Sequence, residues 1–187
     1  MTDEKLTSET LGSDDPIYAI GHSTHPIGKF IAILKTHGIR TLADVRTVPR
    51  SRHVPQFNRD AFEASLRKEG LGYRHLPELG GLRKSRRDSI NLGWRNAGFR
   101  GFADHMQTEA FEEGLAELLN LAKREGPAVI VCAEALPWRC HRSLIADALV
   151  ARGVSVLQID SKGDATPHRL TLFAHVVGGN VTYPAFH

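Results

Sequence analysis

Residues 128–153, AVIVCAEALPWRCHRSLIADALVARG, contain the pattern that decides the fold. The first five residues are continuously apolar, which is typical of a strand buried in a parallel sheet. After a loop, apolar residues recur with helical spacing from about His141 to Arg152, and Gly153 ends the segment. A strand, a loop and a helix in this order form the unit from which α/β proteins are built.

The same alternation is predicted elsewhere in the chain. Strands are expected over residues 17–20, 41–45, 73–76 and 154–159. Helices are expected over residues 26–37, 58–68 (capped by Asn58), 99–106, 108–125 and, at the end, 166–177. The sequence therefore predicts a single three-layer α/β domain over residues 16–187, with a mainly parallel sheet of about five strands and helices on both faces.

The composition narrows the class of protein and its compartment. Of 187 residues, 41% are hydrophobic, so a folded domain is expected, and two cysteines are too few for a disulfide framework. No apolar run is long enough to span a membrane, and residues 1–15 are polar and acidic, which favours a disordered leader over a secretory signal. These features predict a cytoplasmic protein with no membrane partner.

Positive charge is concentrated in one part of the chain. Between Arg46 and Arg100 there are 13 Lys or Arg against 5 Asp or Glu, whereas the remainder has 11 basic and 16 acidic residues. A basic segment attracts phosphate groups on nucleic acid or on a small molecule, although any one arginine is also typical of a solvated surface. Residues 77–98 within this segment show no clear period, and a loop of that length is usually functional or mobile.

Candidate functional residues follow from the geometry of a parallel sheet. In open α/β sheets, sites gather beyond the carboxyl ends of the strands. The residues that follow the first, second and fourth strands are polar or reactive: His22, Arg46, Arg50, Ser51, Cys132 and Glu134. A loop with only a structural role needs none of these residue types.

The segment from Cys132 to Arg142 is the most informative of the three. A helix N-terminus binds anions and, together with nearby arginines, lowers the pKa of a neighbouring thiol. Cys132 and Cys140 are therefore candidate thiolates, and His141 is a candidate acid or base. Cys132 at the end of a buried strand is, however, more often a small core residue, and the residues leave open which cysteine is reactive.

The acidic residues of these segments also have structural interpretations. Glu134 is a candidate base, but it is expected to be buried in an ion pair with Arg139 or Arg142. Asp44 is expected to hold Arg46 or a loop amide. The C-x7-C-H spacing of the cysteines and His141 does not match a zinc site, so neither a metal nor another cofactor is expected.

Five ordered motifs make the sequence similar to a known family. They read IGHS, DVRTVPRS, LGG, FRGFADHM and CAEALPWRCHR at residues 20–23, 44–51, 79–81, 99–106 and 132–142. In this order they resemble the domain-of-unknown-function 488 family of bacterial and archaeal proteins, from about Ile17 to the end. The resemblance implies the fold and the choice of site, but no particular reaction.

The layout is also similar to that of rhodanese and cysteine-phosphatase domains. In those domains, loop amides cradle an anion or a persulfide beside the cysteine. Here the first arginine after Cys132 is Arg139, one residue later than in the C-x5-R loop of those domains, and a second cysteine, Cys140, precedes Arg142. A likeness of fold does not carry function.

The leading hypothesis is an enzyme, or a former enzyme, that acts on a phosphate-bearing or other anionic substrate. Its candidate catalytic residues are Cys132, Glu134, Cys140, His141 and His22. Its candidate substrate-binding residues are Arg46, Arg50, Ser51, Arg100, Arg139 and Arg142. The alternative is a non-catalytic nucleic-acid-binding module that uses residues 46–100, where Phe57, Tyr73, Trp94 and Phe99 are interleaved with the basic residues and available to stack on bases.

Overall fold

The apolar strand of residues 128–132 lies inside a six-stranded sheet in a computed structural model, which describes residues 15–186. The strands are β1 (Ile17–Gly21), β2 (Thr41–Asp44), β3 (Gly72–His75), β4 (Ala128–Cys132), β5 (Val156–Ile159) and β6 (Ala165–Pro167). Their order is β3-β2-β4-β1-β5-β6, and only β6 is antiparallel to its neighbour. The mainly parallel sheet is confirmed, with six strands rather than about five. Except for Asp15, the predicted leader lies outside the described residues.

Five helices cover the two faces of the sheet. They are α1 (Ile27–Thr36), α2 (Arg59–Lys68), α3 (Ala97–His105), α4 (Glu109–Glu125) and α5 (Arg142–Ala151). Alternate residues of β4 point to opposite faces, so Val129 and Val131 pack with α1 and α2 while Ile130 and Cys132 pack with the other three helices. Cys132 therefore faces the same side as α5. None of the described helices is long and apolar enough to cross a membrane.

The predicted helix over residues 166–177 is wrong. Its first residues belong to β6, and a hairpin of β7 (His175–Val177) and β8 (Asn180–Thr182) follows. Gly178 and Gly179 adopt positive φ angles of 55° and 83° in the turn, a conformation that suits glycine and reverses the chain. Because these residues pair with β5 or form this hairpin, they do not adopt the helix that the spacing of their apolar residues predicted.

The long loop of residues 77–98 is tied to the core by Asp104 of α3. Its carboxylate accepts hydrogen bonds from Arg86 N at 2.8 Å, Ser89 Oγ at 2.6 Å and Asn91 Nδ2 at 2.8 Å. Asn91 Oδ1 in turn accepts from Tyr183 N at 2.9 Å. One buried carboxylate thus fixes a segment that has almost no regular structure of its own.

Candidate active site

Three strand ends meet at one edge of the sheet, because β4 lies between β1 and β2. Gly21 pairs with Cys132 and Asp44 pairs with Val131, so the segments that follow these strands are adjacent. They border a pocket of about 480 Å³. The rule that sites lie beyond the carboxyl ends of parallel strands thus leads to a concave surface.

Most of the residues singled out in the sequence line this pocket. They are His22, Arg46, Arg50, Ser51, Cys132, Glu134, Arg139, Cys140 and His141. Arg100 is not among the lining residues, since its Nε and Nη2 donate to the main-chain oxygen of Trp94 at 3.1 and 2.8 Å. Arg142 also lies outside the lining, because it is fully buried next to Cys132.

The loop after β4 packs directly on β1 at Gly21. A Cβ atom added to Gly21 would lie 1.8 Å from the main-chain oxygen of Glu134, so only glycine fits here. Main-chain hydrogen bonds from His22 N to Cys132 O and from Ser23 N to Ala133 O continue the pairing beyond the strands. This close approach fixes the position of the loop that follows Cys132.

The two sulfur atoms are in contact at the floor of the pocket. Cys132 Sγ and Cys140 Sγ are 2.6 Å apart, and both are free thiols. Cys132 is 2% exposed and Cys140 is 6% exposed, so neither is a surface thiol. Cys140 precedes α5, and the N–H of Arg142 lies 3.5 Å from its sulfur. The helix N-terminus, which was expected to offer a free amide to an anion, instead has this N–H directed at a thiol.

Arg142 provides the positive charge next to Cys132. Its Nη1 donates to Cys132 Sγ at 2.8 Å and to the main-chain oxygen of Glu134, and its Nη2 donates to Ala135 O at 2.8 Å. Within residues 15–186, no carboxylate forms an ion pair with it. A buried guanidinium needs a negative partner, and the one group in this set that can become an anion is the sulfur of Cys132.

Charge and hydrogen bonding assign the thiolate to Cys132. Burial by itself would raise the pKa of the Cys132 thiol, but hydrogen bonding from Cys140 and the contact with Arg142 lower it to about 7. The pKa of Cys140 is raised, because its S–H donates to the Cys132 sulfur and because it is buried. The geometry therefore favours Cys132 over Cys140 as the thiolate, a choice that the sequence left open.

His141 lies next to Cys140 in a fixed orientation. Its Nε2 is 2.8 Å from Val45 O, and because a carbonyl oxygen only accepts, Nε2 must carry the hydrogen. Nδ1 then carries no hydrogen and lies 3.6 Å from Cys140 Sγ. Burial lowers the pKa of His141 to about 4, so the ring is neutral at pH 7. Gly81 leaves room for it, since a Cβ atom there would lie 2.5 Å from Nδ1.

The neighbouring strand end, after β2, contains a second buried arginine. Arg46 donates from Nε and Nη2 to the two carboxylate oxygens of Asp44 at 2.9 and 2.6 Å, and Tyr73 Oη donates to the same carboxylate at 2.7 Å. The expectation that Asp44 holds Arg46 is met by these contacts. Arg46 Nη1 also donates to His22 Nε2 at 3.2 Å.

His22 is held as a neutral ring with both nitrogens occupied. Its Nδ1 donates to Ser23 O at 2.9 Å, its Nε2 accepts from Arg46, and its ring stacks on Phe57 with centroids 4.2 Å apart. Burial lowers the pKa of His22 to about 4. These contacts make His22 a group that orients Arg46 rather than one that is free to exchange a proton.

The family comparison covers most of this region. The family profile described as "Domain of unknown function DUF488" matches residues 26–149, about two thirds of the chain. The chain belongs to the DUF488 family. Searches of curated proteins and of solved structures found no match. The matched residues include both buried arginines, both cysteines and the long loop, so most of the pocket lies in the part that defines the family.

Two exposed cations remain available at the pocket of this DUF488 protein. Arg50 and Arg139 line it, and in the described part of the chain neither has an ion pair or a side-chain hydrogen bond. The hydroxyl of Ser51 accepts from His53 N at 3.1 Å. Ser51 N donates to Asn58 Oδ1 at 2.6 Å, so the Asn58 side chain fixes this loop and does not cap α2 as predicted.

The prediction that Glu134 forms an ion pair with Arg139 or Arg142 is wrong. The residue is half-buried, and its carboxylate accepts from Leu136 N at 3.2 Å. Arg142 instead takes the main-chain oxygen of Glu134. None of the ion pairs within residues 15–186 includes Glu134. Its carboxylate belongs to a residue that lines the pocket.

Sequence reasoning missed the aliphatic residues of the pocket wall and considered Phe99 only as a residue that stacks on bases. Val48, Val54, Leu82 and Phe99 line the pocket, and Val48 and Leu82 are also among the exposed large hydrophobic residues. They lie in loops or at a helix start, where no periodicity marks a side chain as pocket-facing. For the part of the chain that the structure describes, no group of three or more His, Cys, Asp or Glu side chains is placed to hold a metal ion.

Proposed function

We propose that this protein is an enzyme that uses the Cys132 thiolate as a nucleophile towards a small substrate with an anionic group and an apolar part. The observation that carries the proposal is the 2.8 Å contact between Arg142 Nη1 and Cys132 Sγ at the floor of the pocket. A lowered thiol pKa next to a buried cation is the standard way in which proteins activate cysteine. A cysteine with only a packing role needs no such partner.

The two exposed arginines define where the anionic group binds. Arg50 and Arg139 come from loops after different strands and line the same pocket as Cys132. Guanidinium groups bind phosphate and carboxylate through paired N–H donors. The two buried arginines are already engaged, so Arg50 and Arg139 are the cations to which a substrate has access.

The size and walls of the pocket define the rest of the substrate. A volume of about 480 Å³ is typical of sites for small molecules. Val48, Val54, Leu82 and Phe99 offer apolar surface to the part of the substrate that carries no charge. Glu134 is a carboxylate of the lining, and we assign to it proton transfer with the leaving group or with water.

Alkylation with a charged and a neutral reagent of similar size tests the proposal. Iodoacetate and iodoacetamide both modify thiolates, but only iodoacetate carries a negative charge. We expect both reagents to modify Cys132 at neutral pH, and iodoacetate to be favoured relative to a free thiol in solution. Replacing Arg50 and Arg139 together by alanine should lower the iodoacetate-to-iodoacetamide rate ratio by roughly tenfold, as expected for the loss of two nearby charges.

An exposed arginine away from the pocket provides the matched control. Arg169 is exposed, follows β6 and does not line the pocket, so Arg169→Ala should leave the rate ratio unchanged. Mass spectrometry identifies the modified residue. If Cys132 in the folded protein reacts with neither reagent, or if the ratio is unaffected by the loss of both arginines, the proposal is wrong.

The alternative, nucleic-acid binding, stays a prediction, and the aromatic contacts favour the enzyme. Phe57 is fully buried beneath His22, and Tyr73 donates its hydroxyl to Asp44. Trp94 and Phe99 stack on each other with centroids 4.7 Å apart. All four side chains proposed to stack on bases thus have partners within the protein. A titration with single- and double-stranded DNA at low salt decides the matter, because strong salt-dependent binding would support the alternative.

A further inference from the structure

We infer that Cys140 is a resolving thiol, and that the reaction at this site is the two-electron reduction of a small anionic disulfide. The inference rests on the proposed role of Cys132 and adds the class of substrate. It is carried by the 2.6 Å contact between Cys132 Sγ and Cys140 Sγ. Any group that becomes attached to Cys132 has a second thiol beside the new bond.

This contact distinguishes reduction from hydrolysis. A cysteine hydrolase needs room for water next to the covalent intermediate. Here a second sulfur, itself 6% exposed, occupies the position next to the nucleophile. Thiolates attack sulfur directly through a mixed disulfide, so the intermediate is released by Cys140.

The charges around the two sulfurs explain the order of events. In the resting site, Arg142 contacts the Cys132 thiolate while Cys140 keeps its proton. Once Cys132 is bonded to the substrate sulfur, it has no charge, and Arg142 has lost its anionic partner. The same guanidinium and the N–H of Arg142, 3.5 Å from Cys140 Sγ, then favour a thiolate at Cys140. Cys140 lines the pocket, so its proton can pass to solvent there.

The two steps balance in atoms and electrons. The Cys132 thiolate attacks one sulfur of the disulfide, the substrate S–S bond breaks, and the first thiolate leaves. Cys140 then loses its proton and attacks Cys132 Sγ, which forms the Cys132–Cys140 disulfide and releases the second thiolate. The substrate gains two electrons and the cysteine pair loses two. A dithiol reductant, present in solution, returns the pair to its starting state.

The substrate must be small, because Cys132 is 2% exposed and lies at the floor of the pocket. A disulfide in the surface of a folded protein does not reach such a sulfur. Arg50 and Arg139 select an anionic disulfide, and the apolar walls select one with an apolar body. Dithiobis(nitrobenzoate) has both properties and releases a coloured thiolate, so it is a suitable probe. Neutral dithiodipyridine is its matched control.

The experiment uses the reduced full-length chain. We expect wild type to release two thionitrobenzoate ions per chain, the second without further reagent, and to end as the internal disulfide without an adduct. Cys140→Ser and Cys140→Ala should each release one and keep the adduct on Cys132. Cys132→Ser should form no internal disulfide and release no second ion, because the thiol that attacks the probe first is absent. Removing Arg50 and Arg139 together should slow the anionic probe by roughly tenfold relative to dithiodipyridine.

The possible failures are distinguishable. A stable adduct on Cys132 in wild type, with Cys140 still free, overturns the resolving role and leaves the proposed thiolate function intact. Release of both ions with no preference for the anionic probe overturns the substrate class. Absence of any reaction at Cys132 in the folded protein overturns both the inference and the proposed function.

Discussion

Two buried arginines lie at the same edge of the sheet and differ in their negative partners. Arg46, after β2, is paired with the carboxylate of Asp44 through two hydrogen bonds. Arg142, at the start of α5, contacts two main-chain oxygens and the sulfur of Cys132. Asp44 offers Arg46 a carboxylate, whereas a thiol becomes an anion only if its surroundings make it one.

The difference separates a structural pair from a reactive one. The Asp44–Arg46 pair is complete, and with Tyr73 and His22 it fixes the loop after β2. The charge of Arg142 is compensated only when Cys132 is a thiolate. The same residue type at the same edge of the sheet therefore stabilises a loop in one case and, in the function proposed above, activates a nucleophile in the other.

The largest expected effect comes from breaking the complete pair. Asp44→Asn leaves Arg46 buried without a charged partner, which should lower the free energy of unfolding by about 3–5 kcal/mol. Urea denaturation measures this loss. Tyr73→Phe, which removes one neutral donor from the same carboxylate, should cost only about 1 kcal/mol. Equal losses in the two variants would show that Asp44 acts mainly as a hydrogen-bond acceptor and not as a counter-charge.

The second effect concerns the reactive pair. Arg142→Met should raise the pKa of Cys132 above about 7, because the guanidinium contact is lost while the hydrogen bond from Cys140 remains. A rise of the pKa to between about 8 and 9 would lower the thiolate fraction at pH 7 from about one half to between about one tenth and one hundredth, so iodoacetamide should modify Cys132 roughly 5- to 50-fold more slowly.

The control for this change lies at the other end of the same helix. Arg152 pairs with Glu112 at 2.6 Å, so Arg152→Met should leave the alkylation rate unchanged. Arg142→Lys keeps the charge and should retain part of the reactivity. If Cys132 of the folded Arg142→Met protein still reacts at the wild-type rate at pH 7, Arg142 does not lower the pKa of Cys132.

The third prediction tests the backbone that supports Arg142. Gly21→Ala places a methyl group 1.8 Å from Glu134 O, an acceptor of Arg142, so the loop must move. We expect a loss of about 1–3 kcal/mol in the free energy of unfolding, together with slower alkylation of Cys132. Gly28→Ala is the control, because no atom lies within 4 Å of the added carbon, and it should be neutral or stabilising. If Gly21→Ala and Gly28→Ala have the same free energy of unfolding and the same alkylation rate, the close contact at Gly21 does not position the loop.

The smallest effect is a dependence of stability on pH. The pKa of Cys132 is lower in the folded state than in the unfolded chain, so the unfolded chain binds more protons between the two values, and folding becomes more favourable as pH rises. Between about pH 7 and pH 8.5, wild type should gain roughly 1.5 kcal/mol relative to Cys132→Ser. His22 and His141, with pKa values of about 4, change charge outside this window. Parallel curves for the two proteins would contradict the assignment.

The elements with strong periodicity could be predicted from the sequence. The apolar run at 128–132, the helix of 142–151 and the parallel order all follow from local patterns that tertiary packing reinforces. The final segment could not, because residues 166–177 have helical spacing but are fixed by pairing with β5 and by a turn at Gly178. The sixth strand is a consequence of that pairing, which no local pattern reports.

Which residues line one pocket at this edge of the sheet could largely be predicted, but their contacts could not. Strand ends and residue types were enough to single out His22, Arg46, Cys132 and Cys140. Whether an arginine is free or engaged depends on burial and on partners distant in sequence, so Arg142 was expected to bind substrate but instead contacts Cys132. No sequence pattern indicated the aliphatic residues of the pocket wall, since residues such as Leu82 lie in a loop without periodicity.

Titration of the thiolate tests the central claim most directly. The ultraviolet absorbance of thiolate is followed against pH in wild type, in Cys132→Ser and in Cys140→Ser. Wild type should show one thiolate appearing with an apparent pKa near 7, and Cys132→Ser should lack it. If no thiolate appears in folded wild type below the ordinary thiol pKa of about 8.5, Arg142 has no sulfur anion as its partner, and the account is contradicted.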